Sequence, residues 1–165
     1  MLRWGCQTLL KASQILSIKD DLIPKWQEII EKLTDYPQDE NGMMIGKDVP
    51  FSKSHRHYSH LLMFYPLYLL NIEQNESKEL LEKSVEHWLS IPGNILGFSN
   101  TGSSSLYAAA GEGDKALEKL KGLFALTLRP NTMYMESGPV IETPLSGAQC
   151  IHDMLLQSWG GKIRV

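Results

Sequence analysis

Three histidines and an arginine crowd into six positions, His55-Arg56-His57-Tyr58-Ser59-His60. Imidazoles donate, accept, titrate or ligate metals, and a guanidinium is a fixed planar cation. As metal ligands the group is a poor match. It lacks the two histidines four apart with an intervening glutamate, and Arg56 puts a permanent positive charge where a cation would sit. No metal ligand is assigned. Two readings stay open. Some of these side chains could lock a loop onto a helix, each satisfied by hydrogen bonds. Alternatively, they form a clamp for a ligand rich in hydroxyls or carboxylates. Tyr58 and Trp88 are available as apolar platforms, although Trp88 reads first as core.

A second group lies at Met135-Glu136-Ser137-Gly138-Pro139-Val140-Ile141-Glu142-Thr143-Pro144. Two carboxylates sit in a loop that glycine and two prolines would hold stiffly. Glu142 stands just before a predicted helix start. It could complement the helix dipole, or serve as a positioned general base or acid. The pattern alone does not choose.

Helical periodicity dominates the elements that must carry these groups. Trp4, Leu9, Ala12, Ile15 and Leu16 form one stripe, and Leu22, Trp26, Ile29, Ile30 and Leu33 a second. Pro24 is tolerable only in a first turn, which places that helix start near Asp20 or Asp21. Residues 36–54 break the pattern, and Asn41-Gly42 predicts a small hairpin there. Helix is expected to resume near Ser59 and to be interrupted by Pro66. Ser77 is a candidate cap for a helix bearing Leu80, Leu81, Val85, Trp88 and Leu89. The small residues of 99–110 suit a helix that approaches its neighbours closely. Asp114 is a candidate cap for the next helix. Residues 129–143 read as loop, with a short strand at 133–135, and a last helix is expected over about 145–158, stopped by Gly160-Gly161. The fold class is all-α: antiparallel helix pairs, as in an α/α toroid or an irregular bundle, with a small β-hairpin in a long loop.

Composition narrows the function classes. The 165 residues are 42% apolar and 21% charged, with net charge −3, ordinary for one globular domain. There is no basic footprint of a nucleic-acid binder. The apolar run 61–70 contains Pro66 and is too short to span a bilayer. The N-terminus does not read as a signal peptide. Cys6 and Cys150 form no CxxC and read as small buried residues. Residue 1 begins inside an amphipathic stripe, and KIRV at the end looks like a strand with nothing to pair with. The expectation is a piece of a larger domain, whose exposed apolar face would favour self-association.

The motifs resemble one known family. His55-Arg56-His57-Tyr58-Ser59-His60-Leu61 followed by Tyr65-Pro66 resembles the HRHxSHL…YP motif of glycoside hydrolase family 95, which contains α-L-fucosidases and some α-L-galactosidases. Gly97-Phe98-Ser99 is similar to that family's Gly-Trp-Ser, and Gly111 to Leu117 to its Gly-Asp-containing turn and following helix. Met154-Leu155-Leu156-Gln157-Ser158, with Gly160 and Ile163, resembles its closing helix and the chain beyond. The order and approximate spacing agree over nearly the whole chain.

The resemblance implies the C-terminal part of an (α/α)6 catalytic barrel over residues 1–165. It implies cleavage of an α-linked deoxy-sugar or L-sugar with inversion. A glutamate would be the general acid and an aspartate, helped by asparagines, the base. Counting back from MLLQS, Glu142 occupies the position of that aspartate. The family's following Gly-Asn-Phe-Gly is replaced here by Thr143-Pro144-Leu145-Ser146, which marks a divergent branch. Glu142 is the catalytic candidate. His55, Arg56, His57 and His60 are the substrate-binding candidates, and the apolar run after them would be the inner helix that holds them. The acid and its asparagines would lie upstream of Met1, so the isolated chain is expected to be inactive. No cofactor is implied, because the chemistry needs two carboxyls and a water. The implied partner is an oligosaccharide or glycan, and the implied location is periplasmic or extracellular. The alternatives are a non-catalytic helical carbohydrate-binding module and an α/α-barrel polysaccharide lyase using Tyr58 and Arg56.

Overall fold

The computed structural model describes residues 1–136, 138 and 140–165. Ser137 and Pro139, the latter one of the two prolines expected to stiffen the carboxylate loop, lie outside them. The chain divides into two compact units, 1–36 and 37–165.

The first unit is a helix pair, α1 (Leu2–Ile15) and α2 (Ile23–Lys32). Asp20 starts the second helix from outside: its Oδ1 accepts the Leu22 N–H at 2.8 Å, and Pro24 falls in the first turn. A proline costs nothing there, because its missing N–H would be unsatisfied anyway. The Arg3 guanidinium donates to the carbonyls of Leu33 at 3.2 Å and Thr34 at 3.1 Å. The start of α1 therefore lies at the end of α2, and the pair is antiparallel. The apolar stripe read from α1 stays largely uncovered: Trp4, Leu9, Ile15 and Leu16 are exposed, and Cys6 is the buried residue.

The second unit holds four longer helices, α3 (Ser77–Ser90), α4 (Gly97–Ala109), α5 (Gly113–Thr127) and α6 (Glu142–Leu155). It also holds two short antiparallel hairpins, β1 (Gln38–Asp39) with β2 (Gly42–Met43), and β3 (Gln157–Trp159) with β4 (Lys162–Arg164). The fold is mostly α, and the hairpin predicted at Asn41-Gly42 is the first of these. Gly42 takes φ +113°, which a side chain would resist, and the Met43 N–H donates to Ser84 Oγ of α3 at 2.9 Å.

α4 is the axis of this unit. Gly97 and every residue from Ser99 to Ala109 are buried. Such a helix can be enclosed on all sides only if its side chains are small. An added Cβ on Gly122 of α5 would lie 2.9 Å from Asn100 Oδ1, so the end of α5 sits on the start of α4. Ser104 Oγ donates to the Ala116 carbonyl at 2.8 Å, near the other end. α5 is therefore antiparallel to α4. α6 pairs with α4 in register instead. Cys150 Sγ lies 3.0 Å from the Thr101 carbonyl, Ser105 Oγ donates to Asp153 Oδ2 at 2.7 Å, and Gln157 Nε2 donates to the Ala108 carbonyl at 2.8 Å. Both sequences rise together, so α4 and α6 are parallel and their N-termini share one end.

Four expectations are corrected. The apolar run after the histidines is not an inner helix. It is a single 3-10 turn at Ser59–Leu61 followed by turns, with Tyr68 at φ 48°. Here Leu61, Phe64 and Tyr65 are core residues, and the backbone bonds change spacing from Phe64 to the Leu61 carbonyl, Tyr65 to the same carbonyl and Leu67 to the Leu62 carbonyl, so no regular helix continues. The last helix ends at Leu155, not near 158. KIRV does not lack a partner: Lys162–Arg164 pair with 157–159 across Gly160-Gly161, whose φ values of +62° and +72° make the turn. The Arg164 guanidinium lies 3.3 Å over the Trp159 ring, and Tyr68 stacks on the same indole at 5.3 Å. The strand expected at 133–135 is a single bridge, Leu128 with Tyr134.

Candidate active site

The histidine segment is held mainly through its backbone. Trp88 Nε1 of α3 donates to the His55 carbonyl at 2.7 Å, and Ser99 Oγ of α4 donates to the Arg56 carbonyl at 3.1 Å. Asn94 N–H donates to Ser54 Oγ at 2.8 Å just upstream. Trp88 is fully buried and is core, while Tyr58 stacks on Phe98 at 6.0 Å and presses against Gly102 of α4. With the His55 and Arg56 carbonyls engaged, the segment is fixed without tying up the side chains of His55, Arg56 and His57 in those bonds.

Those side chains order one another. The His57 N–H donates to His55 Nδ1 at 3.0 Å, which leaves the neutral His55 ring protonated on Nε2. Arg56 Nε donates to His57 Nε2 at 3.3 Å, which leaves the His57 proton on Nδ1. Burial pushes the His57 pKa down, and repulsion from His55 and Arg56 adds to this. Glu136 and Glu142 pull it partly back up. Both carboxylates therefore lie within electrostatic reach of His57.

His60 is packed differently. Its ring stacks on Phe51 at 4.1 Å and meets Trp88 edge-on at 6.5 Å. Burial, with the nearby His87 second, pushes its pKa down to about 4, so it is neutral at pH 7. His87 anchors the same patch, its Nε2 lying 2.8 Å from the Phe51 carbonyl.

Glu142 is the first residue of α6 and is exposed. Thr143 beside it is buried, and its Oγ1 donates to Glu136 Oε2 at 3.3 Å. Tyr134 OH donates to the same oxygen. Burial and this bond push the Tyr134 pKa up to about 12, so the phenol stays a donor. Glu136 also touches the start of α4, where a Cβ added to Gly97 would lie 3.2 Å from Oε2. The two sequence groups thus approach the shared N-terminal end of α4 and α6: Glu136 touches Gly97, His57 meets Phe98 and Glu142 opens α6, with His60 set into the packing on Phe51. The positive ends of two helix dipoles converge there and favour carboxylates. A hollow of about 600 Å³ adjoins it, lined by Arg129, Asn131, Met133, Tyr134, Met135 and Gly138.

Nothing in the sequence gives Glu136 a role of its own. Its partners at Gly97 and Thr143 are distant in sequence, and the only local signal was a tyrosine two residues before it.

The glycosyl hydrolase family 95 catalytic domain model matches residues 1–155. The chain belongs to glycosyl hydrolase family 95. A search of curated proteins finds no match for the family 95 chain. The matched range contains all four helices that build the site and both polar groups, so the family 95 assignment and the geometry concern the same residues. Among the described residues, no three His, Cys, Asp or Glu side chains converge as a metal site. Among the described residues, no helix is long and apolar enough to cross a membrane.

Proposed function

We propose that the chain supplies part of the catalytic site of a glycoside hydrolase that removes α-linked L-fucose-like or L-galactose-like residues from glycans with inversion, Glu142 acting as general base. The observation that carries this reading is the meeting of the histidine segment and Glu142 at the common N-terminal end of two parallel helices. The alternation of α4, α5 and α6, up, down and up, is also the repeating step of an α/α toroid. On this reading the 165 residues form the C-terminal part of an (α/α)6 barrel.

In an inverting reaction one carboxylate takes a proton from water as it attacks the anomeric carbon, while a carboxylic acid protonates the leaving oxygen. Glu142 is exposed on the first turn of α6, where its carboxylate can hold a water. It is one methylene longer than the family's aspartate. Since the two carboxyls in such sites stand roughly 6.5–9.5 Å apart, a shift of about an ångström is tolerable. Arg56 and the His55 and His57 rings offer directional donors and acceptors to sugar hydroxyls. His60 supports the segment from beneath. The general acid comes from elsewhere in the protein, so the 165-residue chain alone binds sugar without turnover.

The test is Glu142→Gln in the whole protein that carries this chain, assayed on α-L-fucosides and α-L-galactosides. Loss of a general base predicts a fall in kcat of about 10²–10⁴-fold with KM little changed. The first-formed sugar in the parent enzyme should be the β-anomer by NMR. Unchanged turnover removes Glu142 as the base, and unsaturated ultraviolet-absorbing products would assign a lyase.

A further inference from the structure

We propose that Glu136 is a positioning residue of this site, a carboxylate strap that ties the first turn of α6 to the first turn of α4 and so holds Glu142 and His57 in one geometry. The inference rests on the hydrolase reading for its kinetic consequence, but its structural basis is independent of the substrate.

One oxygen of Glu136, Oε2, takes hydrogen bonds from Tyr134 OH and from Thr143 Oγ1. Thr143 follows Glu142 directly and is buried, so fixing Thr143 fixes the backbone from which Glu142 projects. The same oxygen lies against Gly97 of α4, where a side chain would collide with the Tyr134 hydroxyl. One residue on, Phe98 meets the His57 ring edge-on at 5.1 Å, and Ser99 holds the Arg56 carbonyl. A single carboxylate therefore touches both helix starts that carry the two halves of the site. Its other oxygen, Oε1, is shut off from solvent and has no hydrogen-bond partner among the described residues. A buried carboxylate oxygen without a partner is costly. That cost is consistent with a group kept for its charge as well as for its bonds. The nearby cationic and titratable groups are few. His57 faces His55 and Arg56 from its own segment, Glu136 from the loop after α5, and Glu142 from α6. Removing the Glu136 charge leaves the fixed Arg56 cation and the His55 ring facing His57 with Glu142 as the remaining carboxylate.

The experiment is an NMR titration of His57 in the 165-residue chain, without substrate, for the parent sequence, Glu136→Gln and Glu136→Asp. The Gln variant keeps an acceptor for Tyr134 and Thr143 and removes the charge. Its His57 midpoint should fall by about half a pH unit, and the Asp variant should keep most of the parent value. A midpoint that does not move in a folded Gln variant overturns the proposal. In the whole protein, Glu136→Ala, which removes the acceptor as well as the charge, should lower kcat at least tenfold with KM nearly kept and shift the acid limb of the pH–rate profile to lower pH. An unchanged kcat and pH profile also overturns it. A whole protein that hydrolyses no α-L-sugar refutes the hydrolase reading, and the titration then decides Glu136 alone.

Discussion

The Ser99 hydroxyl, fully buried at the start of α4, accepts the Leu96 N–H at 3.2 Å and donates to the Arg56 carbonyl at 3.1 Å. It caps a helix and anchors the histidine segment with one oxygen. Ser99→Ala leaves a part-buried donor and a part-buried acceptor unmatched, a loss of about 1 kcal/mol. We expect a lower melting temperature and, because Arg56 is released, weaker sugar binding measured by calorimetry in the whole protein. A variant that melts lower yet binds equally well would show that Ser99 serves the helix alone. The histidines themselves illustrate how one residue type divides by environment. His57 stands among charges at the helix ends, whereas His60 lies flat on Phe51 and is held neutral by burial.

At the scale of elements, the close approach of Tyr58 to α4 is decisive. A Cβ added to Gly102 would overlap the Tyr58 ring, so only glycine allows that ring to stack on Phe98 and lie tilted against Trp88. Gly102→Ala should raise intrinsic helix propensity by up to about 1 kcal/mol. The overlap should nevertheless destabilise the fold by about 1–3 kcal/mol net, read as a drop in the denaturant midpoint. A stabilised variant would mean that Tyr58 moves freely. The helices themselves were readable because α3, α5 and α6 keep apolar residues at helical spacing. The run at 61–70 was not, because its apolar residues also fit that spacing. Its true path depends on partners far along the chain: Trp88 bonding the His55 carbonyl and Trp159 stacking on Tyr68. The end of the last helix was misplaced for a similar reason. Gln157 caps α4 through the Ala108 carbonyl and is drawn out of helical register.

For the whole molecule, stability should depend on pH through the buried imidazoles. His60 has a folded pKa of about 4 against an ordinary value of 6.5, so the unfolded chain binds more protons between them. The His60 contribution is intact above about pH 6.5 and is lost as pH falls towards 4, on the order of 2 kcal/mol. His57, also depressed, acts in the same sense. Urea midpoints measured from pH 7.5 down to 5 should fall, and His60→Phe should flatten that slope while keeping the stack on Phe51. An unchanged slope would place its origin elsewhere. The mostly helical fold and the two polar groups were legible because periodicity and rare residue clusters are local properties. That the groups meet was not, since it follows from the parallel register of α4 with α6, set by contacts such as Ser105 to Asp153 across 48 residues. Glu136 stayed hidden for the same reason.

A helix enclosed all round, as α4 is from Ser99 to Ala109, has no neutral side on which sequence can drift. Surface helices record their history as a hydrophobic stripe beside a freely varying polar face. α4 instead concentrates serine, threonine, alanine and glycine around its whole circumference, so any enlargement pushes against a neighbour. Change in this part of the molecule must come as paired exchanges between α4 and α5, α6 or Tyr58, or not at all. Exposed positions such as Glu142, on the first turn of α6, carry no such constraint. Glu142 and the Thr143-Pro144-Leu145-Ser146 that follows it are where this chain departs from the motif it otherwise resembles.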